Sequence, residues 1–283
     1  MAGLPGAAAH VTARPAGHLS PYVHSYVGYR YEGFAAGTHL GLPSHHLTVI
    51  FSLGPATRLA EMPDPDQAPG AFTTLASGLT TRKAVITHHG DQYGIQLRFS
   101  PAGARALLGV TSGALGASVV DLDELMGTAA TEMVERMVAM PSWNDRFALL
   151  DDVFTRRLGR LRPTTAELTR AWQRIVGSGG TVRIGDLAAD VGWSRRHLAG
   201  RFTSEYGITP KDAARVVRFE RSRTMLARAD RPTFAAVAAA CGYYDQSHLD
   251  REWGDFASCP PSAWIAGEDL PFVQDTPAAA DAS

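Results

Sequence analysis

Apolar and polar positions repeat with two different periods along this chain of 283 residues, and the change of period divides it. Tyr22 to Tyr31 alternates as a strand would. From His46 to Leu53 the alternation is clean, with Leu47, Val49, Phe51 and Leu53 on one face. Residues 82–88 and 93–99 read as two more strands. The connection His89-Gly90-Asp91-Gln92 predicts that they form a hairpin. After Phe99 the period becomes helical. Ser100 supplies a cap and Pro101 suits a first turn, so a helix is expected to about Leu108. Thr128 to Ala139 carries the apolar stripe Met133, Val134, Met137 and Val138, and Trp143 to Leu161 predicts a further long helix. Ala166 to Val176 is another, and everything from there to Ala266 reads as helices joined by short turns. The expected fold class is α+β in two domains: a β-rich, barrel- or sandwich-like N-terminal domain with following helices, then an all-α domain. The expected divisions are a leader over 1–17, a β-rich domain over 18–162, a helical domain over 163–266 and an acidic, disordered tail over 267–283.

Within the helical domain, a single pattern occurs twice. In the first copy, Leu187, Ala188 and Val191 form an apolar face, Gly192 allows a tight turn, and Ser194 caps a second helix. In that helix Leu198, Phe202 and Tyr206 recur every fourth residue. In the second copy Val237 and Ala240 pack, Gly242 turns, Asp245 caps, and Leu249, Trp253 and Phe256 face inward. A recognition helix needs this division, with an apolar seam inward and hydrogen-bonding side chains outward. The outward set is Ser194, Arg195, Arg196, Ala199, Gly200 and Thr203 in the first copy, and Gln246, Ser247, His248, Asp250 and Arg251 in the second. Double-stranded DNA is the expected partner, because Arg and Gln make two-point contacts to guanine and adenine edges. Between the copies, Lys211 to Ala227 presents Val216, Val217, Phe219, Met225 and Leu226 as a helix touching both lobes. Seventeen residues at about 1.5 Å each make a rod of roughly 25 Å, suited to holding two readers about one DNA turn apart.

Charge sharpens this picture only modestly. Residues 1–163 carry 13 basic and 13 acidic residues, 164–266 carry 14 and 11, and 267–283 carry four acids and no base. The basic excess therefore lies with the duplicated motif, and binding must rely on placement more than on bulk field. Only Lys83 and Lys211 are lysines; the remaining positive charge is arginine. No apolar run is long enough to span a bilayer, and residues 1–17 lack the basic start and apolar core of a secretory signal. The expected location is the cytoplasm, with Cys241 and Cys259 as free thiols and no membrane partner.

The duplicated region resembles the AraC/XylS family of bacterial transcription regulators. The resemblance rests on Asp186-Leu187-Ala188, Gly192-Trp193-Ser194, His197-Leu198, Arg201-Phe202, Tyr206-Gly207-Ile208-Thr209-Pro210, Arg218 and Met225-Leu226. Its second half is Val237-Ala238, Cys241-Gly242-Tyr243, Asp245-Gln246-Ser247, Leu249, Arg251, Trp253 and Pro260. It implies base contacts from Arg196, Ala199 and Gly200, and from Gln246, Ser247, Asp250 and Arg251. Ala199 and Gly200 bring no side-chain donor, Trp253 stands where the family usually has phenylalanine, and 255–259 lacks the usual glycine before the proline. The N-terminal domain resembles the effector domain of some members more loosely, through Leu42 to Phe51 and Gly94 to Gly103. That likeness implies a small-molecule effector, self-association as a homodimer, and RNA polymerase as a partner.

Other chemistry is sparse. There is no phosphate-binding loop, no Gly-x-Ser-x-Gly elbow and no Cys/His zinc spacing, so no catalytic residue, enzyme activity, cofactor or metal is expected. Eight histidines lie between His10 and His89. His39, His45, His46, His88 and His89 would converge only if their strands were neighbours, and no carboxylate follows a compact His-x-His. Surface and turn positions are their default reading. Tyr22, Tyr26, Tyr29 and Tyr31 suit either a ligand pocket or sheet packing; Tyr22, Tyr26, His45 and Arg98 are the candidate effector contacts. The leading expectation is a ligand-responsive DNA-binding regulator. The alternatives are a cupin-like metalloenzyme fused to DNA-binding helices, and a regulator with no effector.

Overall fold

The computed structural model describes residues 7–159, 163–228 and 230–267. The start of the expected leader (1–6), the expected domain boundary at 162 and the acidic tail from 268 lie outside the described residues. The N-terminal half builds ten strands: β1 (Ala7–Ala13), β2 (Val23–Glu32), β3 (Gly37–Gly41), β4 (Leu47–Ser52), β5 (Thr57–Glu61), β6 (Gly70–Phe72), β7 (Thr74–Ser77), β8 (Ala84–His88), β9 (Gln92–Phe99) and β10 (Val119–Val120). They form two open sheets: one of six strands in the order β1-β2-β9-β4-β7-β10 and one of four in the order β3-β8-β5-β6. Neither sheet closes on itself, so the sandwich-like expectation describes the domain and the barrel does not.

Two further expectations change here. Residues 7–13, expected to belong to a flexible leader, pair antiparallel with β2 over Ala7–Ala13. This is an edge strand, and an Ala-rich edge carries little apolar signal to betray it. Strands β8 and β9 are not a hairpin. β8 lies between β3 and β5 in the small sheet, and β9 between β2 and β4 in the large one. Alternation identifies a strand and its two faces but not its neighbours.

The large sheet has one face toward helices and one toward the small sheet. Leu47, Val49 and Phe51 of β4 join the main apolar cluster with Tyr26, Leu97, Phe99, Phe147, Leu150 and Phe154. The alternate residue Ile50 turns the other way and packs with Leu59 and Ala84 of the small sheet. After β9 come short helices α1 (Pro101–Gly103, continuing as a wide turn to Leu108), α2 (Ser112–Leu115) and α3 (Leu122–Met126), then α4 (Ala129–Ala139) and α5 (Trp143–Arg157). Ser100 caps α1 as expected, and Asp121 with Glu124 forms a reciprocal cap on α3. In α4, Met133, Val134 and Met137 are buried, whereas Val138, expected in the same stripe, is exposed.

Seven helices complete the described chain: α6 (Ala166–Gly177), α7 (Ile184–Asp190), α8 (Arg195–Tyr206), α9 (Pro210–Leu226), α10 (Phe234–Cys241), α11 (Gln246–Ala257) and α12 (Pro261–Gly267). Helix α9 is central and packs against α6, α8, α10, α11 and α12. The two halves share buried surface. The main apolar cluster runs from the large sheet into α6, α7 and α8, and Leu42 beside β3 enters the cluster of Val216, Phe219 and Trp253.

Candidate nucleic-acid interface and effector cavity

Both helix-turn-helix units are built by the same local physics. Gly192 and Gly242 sit in the left-handed region at φ of 72° and 78°, where a side chain is strained, and each ends the first helix of its unit. The Ser194 hydroxyl then accepts the His197 backbone N–H at 3.2 Å, and the Asp245 carboxylate accepts that of His248 at 2.7 Å. These caps satisfy N–H groups that α8 and α11 would otherwise leave unpaired.

The inward seams are as the spacing predicts. Leu198, Phe202 and Tyr206 are buried, and the rings of Phe202 and Tyr206 lie 5.9 and 4.7 Å from that of Trp172 on α6. Leu249, Trp253 and Phe256 are buried against Phe219 of α9. On α10 the packing residues are Val237, Ala238 and Cys241, while Ala240, expected to pack, is exposed. The tryptophan in place of phenylalanine has its own partner: the Trp253 indole N–H donates to the buried Ser222 hydroxyl at 2.9 Å. Where the customary glycine is missing, Ser258 itself takes the left-handed conformation, at φ of 60°.

The outward residues remain accessible. Ser194, Arg195, Arg196 and Gly200 are exposed, with Ala199 and Thr203 half-buried. Gln246, Ser247 and Arg251 are exposed, with His248 and Asp250 half-buried. His248 is partly committed, since its Nδ1 accepts the Tyr244 backbone N–H at 3.3 Å. Sequence reasoning passed over Tyr244, which is 93% exposed at the entrance to α11 while its neighbour Tyr243 is buried. The signal was two adjacent aromatics in a turn, of which only one can face inward.

Helix α9 ties the units together by charge as well as packing. Arg218 donates to the Gly180 carbonyl in the turn between α6 and α7 at 2.8 Å and to buried Glu252 of α11 at 2.9 Å. Arg215 reaches Glu252 at 3.0 Å and Asp255 at 2.5 Å.

A cavity opens between the two sheets of the N-terminal domain. Its empty space, open solvent included, is about 990 Å³. Tyr29, Tyr31, Thr48, Ile50 and Gln96 line it from the large sheet, His39, Leu40, Thr57, Leu59 and Ile86 from the small one, and Leu42, Ser44 and His46 from the segment between β3 and β4. Among the described residues, the lining contains no Lys, Arg, Asp or Glu. Burial, and then neighbouring His88, hold the His39 imidazole down to about 4, so it is neutral at pH 7. Of the four tyrosines, Tyr29 and Tyr31 line the cavity. Tyr26 instead stacks on Phe147 and donates to Asp151 of α5 at 2.9 Å, and Tyr22 packs half-buried on the main cluster. Arg98 lies on β9 opposite Ser25 and Thr48, outside the lining.

His45 also lies outside the cavity and faces the helical half. The Glu220 carboxylate of α9 accepts the Ser44 hydroxyl at 3.0 and 3.1 Å, the His45 backbone N–H at 3.0 Å, and is 2.5 Å from His45 Nδ1. Burial pushes Glu220 up. His45, its hydrogen bond, His46 and Arg223 outweigh this and hold it well below the usual carboxylate range. The segment that walls the cavity is therefore also the one that grips the rod. His39, His46 and His88 are largely buried and do not follow the surface reading given to the histidines.

Residues 187–267 match a family profile described as a helix-turn-helix domain, and residues 11–121 match a domain of unknown function, DUF6597. The chain is 37% identical over 68 residues to the uncharacterized HTH-type transcriptional regulator YbfI of Bacillus subtilis (strain 168). That match covers 24% of this chain and 24% of the relative, so it spans about a quarter of each. Among solved structures, ToxT from Vibrio cholerae O395 superposes with a TM-score of 0.52 at 9% identity, covering 93% of this chain and 97% of ToxT. ToxT bound to (E)-4-(8-methylnaphthalen-1-yl)but-3-enoic acid gives 0.51 at 11% identity, covering 90% and 98%. Among the described residues, no helix is long and apolar enough to cross a membrane. The C-terminal region of this chain thus carries a helix-turn-helix domain, built as two units on one central helix, behind a β-rich domain in a two-domain fold like that of ToxT.

Proposed function

We propose that this chain is a sequence-specific DNA-binding transcription regulator in which α8 and α11 enter successive major grooves and a small molecule in the sheet-to-sheet cavity sets its activity. One observation carries the reading. Both second helices keep a polar outer face in solvent while both pack against the same rod, α9. The first reader presents Ser194, Arg195, Arg196, Ala199, Gly200 and Thr203, and the second Gln246, Ser247, His248, Asp250 and Arg251. Because Ala199 and Gly200 offer no side-chain donors, α8 contributes phosphate contacts and the arginine pair, and α11 reads more bases. The DNA-reading unit begins at about residue 163, acts in the cytoplasm, and meets RNA polymerase at the promoter. Footprinting with Arg196→Ala and Arg251→Ala tests it. Each should cost about 1–3 kcal/mol at its matching base, and wild-type footprints from both would remove base reading by these helices.

The effector reading is supported by the cavity itself and by the ToxT fold, one member of which holds an aryl butenoic acid. Here the lining is uncharged, with hydroxyl, amide and neutral imidazole groups around an apolar body. It suits a small, uncharged, largely apolar molecule with a few hydrogen-bonding groups. Its occupancy reaches the rod through Leu42, which packs on Val216 and Phe219, and through Ser44 and His45, which bond Glu220. Thermal-shift screening should find neutral apolar ligands that stabilise the wild type. Ile50→Trp, which fills the cavity, should abolish the shift; hits unaffected by it would place the ligand elsewhere.

A further inference from the structure

We propose that His45, His46 and Glu220 form a binding site for one divalent ion of the zinc class, closed across the junction between the β-rich domain and α9. One donor atom from each residue falls in a group within 4.8 Å. His45 Nδ1 is 2.5 Å from one Glu220 oxygen, and His46 Nδ1 is 4.0 Å from the other. The second distance is the informative one. His46 Nδ1 is buried and has no hydrogen-bond partner, although an anionic carboxylate stands before it. A buried ring nitrogen without a partner is costly. At 4.0 Å the gap is too long for a hydrogen bond. A tetrahedral ion wants donors about 3.3 Å apart, so His45 must open by less than about 1 Å and His46 close by a similar amount.

The surroundings fit such a site. The Ser44 hydroxyl bonds both Glu220 oxygens and accepts the His46 backbone N–H at 3.0 Å, so the carboxylate and the loop are already oriented by an outer partner. His24, at the bulge of β2, lies with its ring 4.8 Å from that of His46. His45 and His46 also line a shallow groove with Trp172 and Gln173 of α6, which provides a way in. Arg223 stands 4.0 Å from Glu220 and opposes any cation. Two imidazoles must therefore supply most of the binding, which selects zinc, cobalt or nickel over calcium or magnesium. The same arrangement sets this site apart from a cupin centre, since its carboxylate comes from the DNA-binding half and not from a strand.

The test uses untagged full-length protein titrated with Zn²⁺, with Co²⁺ as the spectroscopic probe and His89→Gln, an exposed histidine, as the control. The expected result is one ion per chain in wild type and control, and an affinity reduced by at least about tenfold in His46→Gln and Glu220→Gln. No stoichiometric uptake by the wild type overturns the proposal, as does uptake that both variants retain. If the variants fail to fold, the imidazole ¹⁵N resonances of the wild type decide. Zn²⁺ should move Nδ1 of His45 and His46, and unmoved resonances overturn the site.

Discussion

In the first helix-turn-helix unit the second helix leans on the β-rich half; in the second unit it leans on the rod. The carboxylate of Glu205 on α8 receives both Arg105 nitrogens at 2.5 and 2.6 Å, and Gly113 of α2 lies so close to Ser204 that a Cβ there would meet its carbonyl oxygen at 2.2 Å. Helix α11 shares only an apolar cluster with Leu42 and Leu40 of that half, and its charged ties are to Arg215 and Arg218 of α9 through Glu252. The outer faces differ in the same sense. α8 offers two arginines followed by Ala199 and Gly200, whereas α11 offers Gln246, Ser247, Asp250 and Arg251 beside exposed Tyr244. One motif has thus been put to two uses. Under the proposed function, the first unit is the one that receives a change in the β-rich half, and the second the one that discriminates sequence.

The severest test of this contrast is Arg218→Ala. It leaves buried Glu252 with Arg215 as its remaining arginine and the Gly180 carbonyl without that donor, and should cost about 3 kcal/mol in denaturant unfolding. Hydrogen exchange should then rise in α11 more than in α8; equal loosening of both would mean that the units are not held separately. Next in size is the contrast on DNA. Arg251→Ala should blur preference at one base by about 1–3 kcal/mol, whereas Arg195→Ala should weaken all sequences alike and flatten the salt dependence. Selection of bound sequences with each variant checks this, and a base preference lost with Arg195 would reverse the assignment. Trp253→Phe is smaller, about 1 kcal/mol, because it removes the bond to Ser222 while keeping an aromatic in the seam. The melting temperature should fall with DNA preference intact. The smallest change has the opposite sign. A Cβ at Gly200 would meet no atom within 4 Å, so Gly200→Ala should stabilise α8 by about 0.5–1 kcal/mol and leave the footprint unchanged. A lost footprint would show that DNA backbone approaches α8 there.

Much of the helical half was legible because its signals are local. Caps, turn glycines and seams spaced by four lie within one or two turns of the residues they organise, and Ser194, Gly192, Leu198, Asp245 and Gly242 all do what their spacing predicts. The misread helix positions are single residues at the rim of a stripe, Ala240 here and Val138 on α4 of the N-terminal half, where helical phase alone does not say how far the cover extends. In the β-rich half the faces were legible and the partners were not. Nothing in β8 or β9 encodes that they belong to different sheets, and the Ala-rich β1 carries no alternation strong enough to mark it as an edge.

The order of residues was enough to say where helices start, stop and bury a face, because those choices depend on neighbours a few positions away. Only the packed molecule reveals the sheet order, the uncharged cavity, and the meeting of His45 and His46 with Glu220, which lies 175 residues beyond His45 along the chain. Such meetings depend on how finished surfaces dock, and a docking between distant segments leaves no period in the chain to be read.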